Sequence, residues 1–199
     1  ATAIITLQET LFATRAAGVN QDSWVAIVGT GPVARAFTFW AHRLGARFLV
    51  VFGRSDRWCH DFLDLGANNY VAGERACVED ESKMVGLGAF DVAIEAVGSS
   101  QALEDALALV RPQGGIVASY GVAAENDPET AAIRAARQAG RIVTLPVREQ
   151  EVHEEFLKLV ARGEVHLGDW ISHRLPLSEI HEGFRLLREK QAIKVVIEL

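Results

Sequence analysis

Val25-Ala-Ile-Val-Gly-Thr-Gly-Pro-Val-Ala34 is the stretch that decides how this chain folds. The run Trp24-Val-Ala-Ile-Val-Gly29 is short, apolar and closed by glycine, the pattern of a strand buried on both faces. From Pro32 to Leu44 apolar residues recur at Val33, Ala36, Phe37, Trp40, Ala41 and Leu44, which is helical spacing, and Gly45 ends it. Arg47 to Phe52 reads as a second buried strand. Strand, glycine turn, helix and strand therefore follow one another within a single βαβ unit.

The same alternation continues outward. Ser55 is a candidate N-cap for a helix through Leu65, ended by Gly66, and Asn69 to Ala72 is a brief third strand. Gly73 to Ala89 is charged and weakly patterned, and is expected to be a short helix with loops. Phe90-Asp-Val-Ala-Ile-Glu-Ala96 reads as a fourth strand, followed by Gly98-Ser-Ser and a helix from Gln101 to Val110. Pro112-Gln-Gly-Gly115 is turn chemistry before a fifth strand, Gly115 to Gly121. Pro128 to Ala139 is helical, and Arg141 to Val147 is a sixth strand. Parallel neighbours need helical crossovers, so this order implies an α/β fold with a doubly wound parallel sheet. After Gln150 the rhythm changes: a helix from Glu151 to Arg162, the stretch Trp170-Ile-Ser-His-Arg-Leu175, a helix from Leu177 to Lys190, and a last strand, Ile193 to Leu199.

Composition narrows the function classes. The 199 residues are 49% hydrophobic and 23% charged, as in an ordinary globular protein, with a formal net charge of −6. A nucleic-acid partner would need clustered Lys and Arg, so none is expected. Apolar runs such as Phe48 to Phe52 are far too short to span a bilayer, and no membrane association is expected. Ala1-Thr-Ala-Ile-Ile-Thr lacks the features of a secretory leader. Cys59 and Cys77 form no Cys-x-x-Cys pair, which fits a reduced, cytoplasmic setting with incidental thiols. The chain opens without an initiator Met, directly in an amphipathic helical pattern, and is expected to be a piece of something longer.

Gly29, Gly31 and Ala34 stand as Gly-x-Gly-x-x-Ala between strand and helix. The first glycine permits the tight turn, the second leaves bare backbone for a pyrophosphate, and the small third residue lets helix and strand pack closely. An anion there meets N–H groups and the positive end of the helix dipole. A plain tight turn is the bland alternative, but the surrounding βαβ unit favours a dinucleotide held by Gly29, Thr30, Gly31, Pro32 and Val33. At the end of the second strand an NAD-binding unit carries a carboxylate for the adenosine ribose. Here Val50-Val-Phe-Gly-Arg-Ser-Asp-Arg57 puts Gly53 at that position, followed by Arg54 and Ser55. Gly53 makes space, Arg54 can pair with a 2′-phosphate and Ser55 can donate a hydrogen bond, so NADP is favoured and NAD remains possible. Alternatively Arg54 is a solvated loop arginine.

With these segments placed, the chain resembles the cofactor-binding part of the medium-chain dehydrogenase/reductase family, the alcohol and polyol dehydrogenases. Thr10-Leu-Phe-Ala-Thr-Arg-Ala-Ala-Gly-Val19 resembles the helix that precedes its first strand. Gly29-Thr-Gly-Pro-Val33, Leu44-Gly-Ala46, Leu65-Gly-Ala-Asn68, Phe90-Asp-Val-Ala-Ile-Glu-Ala-Val-Gly98 and Arg111-Pro-Gln-Gly-Gly-Ile-Val117 are similar to its turns, helix ends and fourth strand. Leu175-Pro-Leu-Ser-Glu-Ile-His-Glu-Gly-Phe184 and Ile193-Lys-Val-Val-Ile197 are similar to its C-terminal helix and strand. The resemblance implies a Rossmann domain over residues 1–165. Residues 166–199 would form a C-terminal segment whose helix and strand belong to the edge of an absent N-terminal catalytic domain. It further implies that Val97 and Gly98 lie beside the ribose and nicotinamide, and that Tyr120, Gly121 and Val122 put backbone against the carboxamide. Lys194 matches a basic position near the pyrophosphate, with an exposed strand-end lysine as the alternative. Ala34 and Gly53 depart from the family's usual glycine and acidic residue.

No residue here is assigned a catalytic or metal-binding role. The six histidines, His42, His60, His153, His166, His173 and His181, form no cluster with metal spacing and read as surface or boundary residues. In the zinc branch of the family, zinc would sit in the upstream half. The leading expectation is therefore the NADP-preferring cofactor domain of a zinc-type alcohol or polyol dehydrogenase. It would act on a small alcohol or carbonyl and pair as a homo-oligomer through the sheet edge at Arg141 to Val147. The alternatives are a zinc-free quinone or enoyl reductase of the same superfamily, a non-catalytic cofactor-sensing module and, more distantly, a methyltransferase.

Overall fold

The computed structural model describes residues 3–73, 88–122 and 124–199. Six parallel strands form one sheet in the order β3-β2-β1-β4-β5-β6. They are β1 (Trp24–Val28), β2 (Phe48–Gly53), β3 (Asn69–Ala72), β4 (Val92–Glu95), β5 (Ile116–Ser119) and β6 (Ile142–Thr144). The chain winds outward from β1 to β2 and β3, then returns to the other side of β1 with β4, where Ala26 stands opposite Ala93. The doubly wound expectation is met. That reversal beside β1 opens a crevice outside the carboxyl ends of the strands.

The strands are apolar on both faces because helices cover both. On one face Val25, Ile27, Leu49, Val51 and Ile94 pack with Ala34, Phe37 and Ala41 of helix α2 (Pro32–Arg43), Phe62 of α3 (Cys59–Asp64), and Ala13 and Ala17. On the other, Ala26, Val28, Val50, Phe52 and Ala93 meet α4 (Ser100–Leu109) and α5 (Ala131–Gln138). Successive residues of β1 thus alternate between two cores, the period-2 geometry of a strand. Burying a side chain such as Ile27 or Phe37 contributes roughly 1.5–3 kcal/mol.

Several boundaries differ from the sequence expectations. Ser55 does not cap a helix with its side chain; it precedes a 3-10 turn, Asp56–Trp58, and α3 starts only at Cys59. The fourth and sixth strands shorten at both ends, and Phe90 makes an isolated bridge to Val110. The helix expected from Pro128 begins at Ala131, because Thr130 caps it by accepting the Ile133 N–H at 3.3 Å. The expected short helix between Gly73 and Ala89 falls largely outside the described residues. Helix α1 (Ile4–Ala16) is not amphipathic as expected: Leu7, Gln8, Thr10, Leu11, Ala13 and Thr14 are all buried.

Thr10–Val147 is one compact unit; Arg148–Leu199, together with the chain's start up to Glu9, is another. The domain boundary expected at 165/166 lies inside this second unit. There, α6 (His153–Ala161) buries Phe156, and His153 Nδ1 lies 2.9 Å from Gln8 Nε2. β7 (His173–Pro176) pairs in parallel with β8 (Val195–Glu198), and α7 (Ile180–Arg188) packs closely on them. A Cβ at Gly183 would come 3.2 Å from Val195 Cγ1.

Candidate functional site

Because the sheet is parallel, the segments after β1, β2, β4 and β5 all emerge at its carboxyl edge. These carry thirteen of the fourteen residues read from the sequence as cofactor contacts. They run Gly29 to Val33, Gly53 to Ser55, Val97 with Gly98, and Tyr120 to Val122. The fourteenth is Lys194. It belongs to the second unit, one residue before β8, and its carbonyl accepts the Ser172 N–H at 2.9 Å.

The β1 turn is held by backbone. Gly29 has φ +121° and its N–H donates to the Phe52 carbonyl at 2.9 Å. A Cβ at Gly29 would reach 2.9 Å from Val97 Cγ2 and 3.3 Å from the Ala96 carbonyl, so the tight turn needs glycine for space as well as conformation. Gly31 is different. It is the N-cap of α2, and a Cβ there would meet nothing within 4 Å. Open space at bare backbone, a helix start with no side-chain cap, and no acidic residue in its first turn together suit an anion. Pro32 fills the first helical position, and Ala34 is fully buried between helix and sheet. Arg35, which follows, pairs with Asp61 of α3 at 2.9 Å and lies over the Phe62 ring.

At the end of β2, Gly53 does not leave empty space. The Tyr70 hydroxyl and Thr30 Cγ2 already occupy the volume its side chain would take. Arg54 and Ser55 are exposed, and among the described residues no carboxylate pairs with Arg54. An exposed guanidinium can form a paired, charge-assisted contact with a phosphate.

The ends of β4 and β5 are joined by one residue that sequence reasoning gave no role. Glu95 is fully buried, and its Oε1 accepts the N–H groups of Val97 at 2.7 Å and Gly98 at 2.6 Å. Its main-chain carbonyl accepts those of Tyr120 at 3.0 Å and Gly121 at 3.2 Å. Both loops expected at the nicotinamide end therefore hang from Glu95. Its other carboxylate oxygen, Oε2, is buried without a hydrogen-bond partner among the described residues. Gly98 (φ +84°) and Gly121 pack backbone to backbone: a Cβ on Gly121 would come 2.5 Å from Gly98 Cα, and one on Gly98 would strike the Val122 main chain. The Tyr120 ring turns away, edge-on to Phe37 of α2 at 5.0 Å between centroids, and leaves its backbone at the edge. Val122 is 91% exposed. An ionisable side chain closing an otherwise apolar strand was the available signal for Glu95. Tyr70 carried none, because it stands on a strand remote in sequence from Gly53.

Not every family-like residue is at this edge. Asp91, before β4, accepts the Trp24 N–H at 2.8 Å and pairs with Arg111 at 2.5 Å, tying the opposite ends of the strands.

Residues 32–162 match the family model described as zinc-binding dehydrogenase, and the chain belongs to that family. L-threonine 3-dehydrogenase of Rhizobium etli (strain CIAT 652) is 26% identical over 90% of this chain and 51% of its own length. The alcohol dehydrogenase TADH from Thermus sp. ATN1 superposes with a TM-score of 0.78 at 28% identity, over 97% of this chain and 56% of that one. Two further structures share the fold. A zinc-binding dehydrogenase from Sinorhizobium meliloti 1021 bound to NADP has a TM-score of 0.75 at 22% identity, covering 90% of this chain and 53% of that one. An alcohol dehydrogenase from E. coli CFT073 complexed with NADH has a TM-score of 0.81 at 13% identity, covering 99% and 58%. The chain spans about half the length of the curated relatives it matches. The half it matches is the nucleotide-binding one. Among the described residues no group of three or more His, Cys, Asp or Glu is placed to hold a metal ion, so these residues do not fit a zinc site.

Proposed function

We propose that this chain is the cofactor-binding part of a zinc-type alcohol or polyol dehydrogenase-like oxidoreductase that prefers NADP(H) and acts on a small alcohol or carbonyl. The observation that carries it is the convergence of strand-end segments on one crevice, with Gly29, Gly98 and Gly121 barred from bearing side chains. When bound, the nicotinamide ring supplies or accepts hydride. The chain's own residues hold and orient it. Gly29 to Val33 hold the pyrophosphate at the start of α2. Gly53, Arg54 and Ser55 receive the adenosine 2′-phosphate. Val97 and Gly98 face the ribose and nicotinamide, and Tyr120, Gly121 and Val122 offer backbone groups to the carboxamide. Acid or electrophilic catalysis falls to the rest of the enzyme, towards which residues 166–199 return. The protein works in the cytoplasm as a homo-oligomer through the β6 edge.

The test is titration of the chain with NADPH and NADH, read by nicotinamide fluorescence. Binding of both with NADPH tighter supports the reading. Equal binding overturns the NADP preference, and no binding overturns the assignment.

A further inference from the structure

Gly53 and Tyr70 compete for one volume. Strands β2 and β3 pair with Val51 opposite Tyr70 and Gly53 opposite Ala72, so Tyr70 stands two places short of Gly53 and reaches along the sheet towards its carboxyl edge. There its hydroxyl donates to the Ser55 carbonyl at 2.6 Å. A Cβ at position 53 would fall inside contact distance of that hydroxyl and 3.0 Å from the ring carbon Cζ, with Thr30 Cγ2 at 2.6 Å. The ring has little freedom to yield, because it packs on Phe62 at 5.7 Å between centroids and against the core beneath α2 and α3. Any side chain at 53 must therefore dislodge the hydroxyl and cut the tether on Ser55.

We propose that Tyr70 determines the cofactor specificity of this chain. Its hydroxyl fills the space in which a carboxylate at position 53 would grip the adenosine ribose, and it fixes the Arg54-Ser55 turn that receives the 2′-phosphate. The proposal rests on the NADP(H) reading above. Burial, with Cys59 and Asp56 nearby, pushes the phenol up to about 12, so the hydroxyl keeps the proton it donates.

The experiment titrates wild-type chain and Y70F with NADPH and NADH, and measures the melting temperature of G53A in both backgrounds. Loss of one positioning hydrogen bond should weaken NADPH binding about fivefold in Y70F while leaving NADH binding within about twofold. G53A should lower the melting temperature clearly less in the Y70F background, where the hydroxyl no longer occupies the volume. A wild-type preference for NADPH that Y70F leaves unchanged overturns the role of Tyr70 alone. Equal cost of G53A in the two backgrounds also overturns it, whatever Y70F does to binding. A wild-type chain that binds both cofactors equally overturns the NADP(H) reading and this inference with it.

Discussion

Glu95 Oε1 accepts the Gly98 N–H at 2.6 Å from within the sheet, and the same residue's carbonyl takes the N–H of Gly121. One buried residue therefore sets the spacing of two loops that sequence brings together only through the fold. Removing a hydrogen-bonded buried side chain leaves its donors without partners, which costs more than the bonds themselves are worth on balance.

E95A should destabilise the chain by about 2–4 kcal/mol, because two N–H groups lose the buried carboxylate that accepts them. E95Q keeps an acceptor oxygen and should cost clearly less. Urea denaturation of the two variants checks this, and equal costs would contradict the tether.

The glycines of the crevice should separate stability from binding. G98A places a Cβ against the Val122 backbone at positive φ and should cost about 2 kcal/mol or more. G31A meets open space and should cost less than about 1 kcal/mol, the difference between Gly and Ala as an N-cap. Its NADPH affinity should nevertheless fall at least tenfold, since the added methyl group stands where the pyrophosphate approaches bare backbone. Thermal melting alongside cofactor titration reads both effects.

R54A should weaken NADPH binding roughly tenfold through loss of a charge-assisted hydrogen bond, and leave NADH binding nearly unchanged. Raising ionic strength should erode the wild-type preference in the same direction. Titration of both cofactors at low and high salt measures it.

Tyr70 should ionise late. Its phenol is raised from the ordinary 10.0 to about 12, chiefly by burial and then by Cys59 and Asp56. The folded state thus holds this proton more tightly than the unfolded chain, so its contribution to stability is complete below pH 10 and is lost as pH rises towards 12. Phenolate absorbance followed against pH in wild type and Y70F isolates this group, and a transition near 10 would contradict the assignment.

The doubly wound sheet was legible because its strands are buried on both faces and read as uninterrupted apolar runs, as in Trp24–Val28. The glycine turn was legible because its neighbours in space are also neighbours in sequence. What escaped depends on pairing across distance. The Tyr70 hydroxyl finds Ser55 only once β3 lies beside β2. Glu95 gains its role from loops that meet at the edge of the sheet. β7 was missed because only alternate residues of His173–Pro176 are partly buried, and its partner β8 lies a whole helix further on.

The bare-backbone contact between Gly98 and Gly121 has a consequence for how such a protein diversifies. Neither position can accept a methyl group unless the opposite loop moves, so the floor of the crevice resists stepwise change. Positions 54 and 122 are exposed and can vary one residue at a time. A residue change at the rim thus leaves the packing of the floor untouched, whereas a change in the floor has to be matched by the loop opposite.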